Sequence, residues 1–200
     1  MDIFDHTGQY ACFSPVLQAA ERLERAGVPA LVAIDGRCGS GKTTLAALLA
    51  AKFPCNVFHT DDFYLPPASR IPGWESVPCA NMDLDRLDRE ILRPVLAGED
   101  VDYRPYRCAS GDFAPAIRIP FRPLNVLEGS YALHPALRMR YTLRIFLTCS
   151  PEEQTRRLQA REGDRFPLFQ RRWIPLEESY FRTCGVEACC HIILHTDSIP

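Results

Sequence analysis

An apolar run from Ala30 to Asp35 breaks into Gly36-Arg37-Cys38-Gly39-Ser40-Gly41-Lys42-Thr43, and a helix-forming segment starts immediately at Lys42. The order strand, glycine-rich loop, helix constrains this chain more than any other feature, because G-x-x-x-x-G-K-[ST] is the spacing of a phosphate cradle. Glycines let successive backbone N–H groups face inward, the helix N-terminus adds its positive end, and a lysine there bridges outer phosphates. The expected nucleotide-binding set is Gly36, Arg37, Cys38, Gly39, Ser40, Gly41, Lys42, Thr43 and Thr44, with ATP as the ligand and the Thr43 hydroxyl offered to Mg²⁺. A glycine-rich turn without a ligand is the competing account. A chance match of this kind arises in about one chain of this length in a hundred.

With 200 residues at 46% hydrophobic content, the chain is expected to form a single domain over 1–200. A formal net charge of −2 with 24% charged residues gives no global field toward nucleic acid or an anionic membrane, so no such partner is expected. Its longest apolar stretch, Leu45 to Ala51, is far short of the roughly 20 residues of a membrane span. Nine cysteines, odd in number and scattered from Cys12 to Cys190 with no signal peptide ahead of them, read as reduced thiols of a cytoplasmic protein. Cys184, Cys189 and Cys190 lack the paired spacing of a zinc site. A homo-oligomer is left open.

Short β-rich runs alternate with helical patterns, the signature of a parallel sheet with helices on both faces. The expected strands are Ala30 to Asp35, Asn56 to Thr60, Leu124 to Glu128, Thr142 to Thr148 and His191 to His195. Expected helices are Pro15 to Ala26, capped by Ser14 and stopped by Gly27, then Lys42 to Lys52, Asp83 to Ala97, Pro151 to Glu162 and Phe166 to Phe181. Many of the 17 prolines fall between Pro66 and Pro123, where turns and acceptor specificity are expected.

His59-Thr60-Asp61-Asp62-Phe63-Tyr64 follows the second expected strand, whose end adjoins the loop where open α/β sheets bind ligands. A carboxylate there could accept a hydroxyl proton beside the nucleotide, or Asp61 and Asp62 could cap a turn. Glu128 ends an apolar strand, where a carboxylate is costly to bury unless it meets a cation. It is expected beside Mg²⁺, with a buried ion pair as the alternative. The arginines of 156–172, namely Arg156, Arg157, Arg161, Arg165, Arg171 and Arg172, can place positive charge over a migrating phosphoryl group. Val101 to Phe121, with Tyr103, Tyr106 and Arg107 around a Ser110-Gly111-Asp112 turn, reads as two short strands.

Taken in order, Gly36 to Thr43, Asp61-Asp62-Phe63-Tyr64, Asn81-Met82-Asp83 and Leu127-Glu128-Gly129 resemble the uridine kinase and phosphoribulokinase branch of P-loop kinases. The resemblance runs from about Ala30 to Ile193, with the loop and the D-x-F-Y element its most specific parts. It implies a P-loop NTPase fold, three α/β/α layers around a five-stranded parallel sheet, with a small substrate hairpin at 101–121 and an arginine-rich lid at 156–172. It implies transfer of the γ-phosphate of ATP to a small-molecule hydroxyl, a nucleoside 5′-hydroxyl above all. Asp61 would act as base, Tyr64 would lie against the nucleoside and Asp83 would hold ribose hydroxyls, unless Asp83 only caps the next helix. Lys42, Arg161 and Arg165 would stabilise the transferring group, while Tyr103, Tyr106 and Arg107 would lie on the acceptor side. Tyr106 is followed by Arg107 and Cys108 where uridine kinases carry Tyr-Asp-Phe, and an arginine there suits a phosphorylated or acidic acceptor such as pantothenate or a sugar phosphate. A regulatory nucleotide-binding module and a nucleotide-hydrolysing switch are the other classes compatible with the loop.

Overall fold

The computed structural model describes Gly8 and residues 10–199; the expected domain over 1–200 also takes in 1–7, 9 and 200, which lie outside them. Five strands, β1 (Ala30–Gly36), β2 (Cys55–His59), β7 (Leu124–Glu128), β8 (Leu143–Thr148) and β9 (Ile192–His195), form one all-parallel sheet in the order β2-β7-β1-β8-β9. The glycine-rich loop therefore leaves the central strand, with β7 and β8 on either side.

Alternation along β1 divides the core. Ala30, Val32 and Ile34 face α1 (Ser14–Ala26) and α2 (Lys42–Lys52), meeting Val16, Ala20, Leu45 and Leu49. Leu31 and Ala33 face the other way, toward Leu87, Ile91 and Val95 of α3, a helical run over 84–97, and Tyr180 and Phe181 of α5, a run over 166–183. Burying each large apolar side chain in these two layers contributes about 1.5–3 kcal/mol, which is what holds helices on both faces of a parallel sheet. Between them in sequence, α4 (Pro151–Glu162) is capped by Ser150, whose hydroxyl accepts from Glu153 N.

Three local expectations are corrected. Ser14 does not cap α1: it is already helical at φ −50°, because a 3₁₀ turn over Ala11–Phe13 leads straight into the helix. The segment 101–121 forms four short strands instead of two, β3 (Val101–Tyr103) paired with β6 (Ile117–Ile119) and β4 (Tyr106–Arg107) with β5 (Asp112–Phe113). Helices α3 and α5 each contain a π-helical stretch, Asp88–Leu92 and Phe169–Trp173, which the 3.6-residue period does not anticipate. Among the described residues no helix is long and apolar enough to cross a membrane.

Candidate active site

The C-terminal ends of β1, β7 and β2 converge on two adjoining cavities. One, of about 200 Å³, is lined by Gly39, Gly41, Lys42, Thr43, Thr44, Arg157, Arg161 and Ile199. The second, about 520 Å³, shares Lys42, Thr43 and Arg161 with the first and adds Asp61, Tyr64, Glu128, Glu177 and Arg165 among its walls. Two glycines allow this convergence. A Cβ on Gly36, at φ 140°, would collide with the Leu147 carbonyl oxygen of β8, and one on Gly129, at φ 132°, with the Thr60 hydroxyl.

Lys42 Nζ donates to the loop's own carbonyls, Gly36 O at 2.7 Å and Arg37 O at 3.0 Å. Its ammonium is thus kept at the loop and free to exchange those carbonyls for a phosphate. Arg157 is only 12% exposed and donates to Gly39 O, Thr196 O and Ile199 O, strapping the loop to the chain's last described turn.

The structure brings Glu128 and Thr43 together. Thr43 Oγ1 donates to Glu128 Oε1 at 3.2 Å, and the carboxylate is 7% exposed. Two hard oxygen ligands at the foot of a phosphate cradle fit Mg²⁺, which takes the rest of its shell from water and phosphate. Among the described residues no group of three His, Cys, Asp or Glu side chains could hold a metal. His59, which the sequence offered only as a neighbour of Asp61, places Nδ1 2.6 Å from the same Glu128 oxygen. It is the register partner of Glu128 across β2 and β7. That hydrogen bond, with the charges of Glu128, Asp62 and Asp61, raises the His59 pKa above the ordinary imidazole value.

Asp61 faces the larger cavity from a 3₁₀ turn over Thr60–Phe63. Solvent reaches its carboxylate, yet protein crowds it, and this desolvation followed by the nearby Glu128 charge raises its pKa above the usual carboxylate range; Lys42 and the Tyr64 hydroxyl pull it back down. Tyr64 is fixed by the segment 81–83, which runs antiparallel to it: Leu65 N donates to Asn81 O and Asp83 N to Phe63 O, each at 2.8 Å. Asp83 itself caps α3, its Oδ1 accepting from Arg86 N at 3.0 Å, and is not among the residues lining the two cavities.

On the other side of Asp61, Asp62 is buried and binds the insertion. It accepts from Tyr103 Oη at 3.1 Å and from Arg107 Nη1 at 2.8 Å. Tyr103 stacks on Phe63 with centroids 5.7 Å apart, and Tyr106 meets Phe113 edge-on at 5.4 Å. Tyr103 thus joins the core around Phe58 and Phe63, Tyr106 and Phe113 pack within the insertion, and from that segment Cys108 lines the cavity. Arg161 and Arg165 do reach the cavity wall, where both pair with Glu162, at 2.8 Å and 2.7 Å. Sequence reasoning missed Glu177 and Ser130, which meet each other across 47 residues.

The architecture has counterparts among solved structures. A candidate uridine kinase from Bacillus stearothermophilus superposes with a TM-score of 0.73 at 18% identity, covering 94% of this chain and 99% of its own. A candidate fructose transport system kinase from Silicibacter sp. TM1040 gives 0.68 at 23% identity, covering 94% of this chain and 98% of its own. The likeness is one of fold: this is the three-layer α/β/α arrangement of the P-loop kinases. The sequence matches no protein-family model and no curated protein.

Proposed function

We propose that this protein is an ATP-dependent kinase that phosphorylates a hydroxyl of a small molecule, a nucleoside 5′-hydroxyl first among the candidates. The observation that carries the reading is the pair of cavities meeting at Lys42, Thr43 and Arg161, with Asp61 on the wall of the larger one. Nucleotide occupies the loop side and the acceptor alcohol the Asp61 side. Asp61 takes the hydroxyl proton as the acceptor oxygen bonds to the γ-phosphorus; the bond to the β-bridging oxygen breaks and ADP leaves. Lys42 and the lid arginines, once they exchange Glu162 for phosphate, offset the charge on the transferring group. Thr43 and Glu128 would hold Mg²⁺, which supplies further neutralisation of the phosphate oxygens.

The Arg107 guanidinium, which in the sequence suited a phosphorylated or acidic acceptor, already has its counter-charge in Asp62. That favours an uncharged alcohol. Purified protein with Mg·ATP should release ADP stoichiometrically with one of a panel of nucleosides, pantothenate and sugar phosphates, with product mass naming the acceptor. ADP release indifferent to every acceptor would sink the reading.

Two further outcomes are expected. Replacing Glu128 by Gln should raise the half-saturating Mg²⁺ concentration at least about tenfold, read from the metal dependence of turnover and of ATP binding. A base must be ionised to accept a proton, so the raised Asp61 pKa puts the acid limb of the kcat/KM profile above the ordinary Asp value of about 4. Activity rises with pH through that limb, and the same limb persisting in the residual activity of Asp61→Asn would contradict Asp61 as base.

A further inference from the structure

Three residues of α5 hold three positions at the start of the phosphate loop. Tyr180 Oη donates to Asp35 Oδ2 at 2.8 Å, and Glu178 accepts two bonds from the Arg37 guanidinium at 2.6 and 3.0 Å. Glu177 Oε2 accepts the Cys38 N–H at 2.9 Å. The second oxygen of Glu177 accepts from Ser130 Oγ at 2.7 Å, in the turn that follows Glu128. Glu177 is 5% exposed, and its partners are an amide, a hydroxyl and the Cys38 thiol, so the carboxylate is placed by hydrogen-bond geometry. A buried acceptor of this kind is expensive to remove, because the donor it served is left unpaired.

The consequence lies in how the loop divides. Of the loop, Gly39 and Gly41 line the smaller cavity alone, Lys42 and Thr43 line both, and Cys38 lines only the larger one. An amide hydrogen points in one direction, so the bond to Glu177 commits Cys38 N–H to the helix side and fixes where the loop turns inward. Phe169 and Trp173 of the same helix wall the larger cavity, so one rigid element sets both the loop's turn and the neighbouring wall.

We propose that Glu177 is a positioning residue: by clamping the Cys38 amide to the turn after β7, it presets the phosphate loop for nucleotide. The functional half of this proposal rests on the loop being the ATP site. Glu177→Ala should speed exchange of the Cys38 amide in nucleotide-free protein, and weaken Mg·ATP binding by calorimetry, each about tenfold. Glu177→Gln should restore both, since its carbonyl can still accept from Cys38 and its amide can donate to the Ser130 oxygen. Ser130→Ala should move both in the same direction by less. A folded Glu177→Ala protein with the parent's exchange and affinity overturns the proposal, as does a Gln variant as impaired as the Ala variant, which would assign the effect to charge. If the Ala variant does not fold, Ser130→Ala decides, and parental exchange and affinity there overturn it. Should the parent bind no ATP, the kinase reading fails while loop exchange still decides whether the clamp exists.

Discussion

An Asp61→Asn protein is expected to bind Mg·ATP as the parent does and to turn over about 10²- to 10⁴-fold more slowly, the range that general-base groups contribute. The substitution keeps the shape of the side chain and an oxygen for the Tyr64 hydroxyl while removing the site that takes the proton. Nucleotide binding should survive because Asp61 lines the larger cavity and not the smaller one beside the loop. Turnover at the parental rate would remove Asp61 from the mechanism. Loss of turnover together with loss of ATP binding would make it a structural residue instead.

The second large effect is on stability. Arg86, 8% exposed, donates to Asp62 O and to Arg104 O, both at 2.7 Å, and its guanidinium lies 4.3 Å from the Phe63 ring centroid. It joins α3, the Asp61 turn and the insertion. Truncation to Ala leaves two carbonyls without their donor and Asp83 without its counter-charge, while Glu90 keeps only Arg89. For a buried charge network of this kind the cost is about 3–5 kcal/mol, or about 6–20 °C in Tm for a domain of this size. Lys should not rescue, because one ammonium cannot reproduce the planar fork that spans both carbonyls. A calorimetric Tm unchanged in Arg86→Ala would show that Arg86 is not what holds the insertion, leaving that to Asp62 and the aromatic contacts.

What the sequence made legible was what is written locally. The β1–loop–α2 unit declares itself in consecutive residues, whereas for Glu128 the sequence said only that a carboxylate ending an apolar strand needs a cation, Mg²⁺ or an ion-pair partner, and did not point to His59, which pairs with it in the folded chain. Long-range pairings were not legible. Glu177 meets Cys38 across 139 residues, Arg107 meets Asp62 across 45, and Arg86 meets Asp62 across 24. Nothing in the periodicity of either member of such a pair points to the other. Tyr103 and Tyr106 show the ambiguity of aromatic residues: the composition that suits a ligand wall also suits apolar packing, and here Phe63 stacks on Tyr103 in the core and Phe113 meets Tyr106 within the insertion. Asp83 presents the same ambiguity in a carboxylate, and in the folded chain its oxygen faces the first turn of α3.

The destination of the γ-phosphate tests the central claim most directly. With ATP labelled by ¹⁸O in the γ-phosphoryl group, mass spectrometry of the products should find the label esterified to the acceptor alcohol, in amounts equal to ADP. Label recovered only as inorganic phosphate, whichever alcohol is supplied, would make the protein a hydrolase and contradict the account.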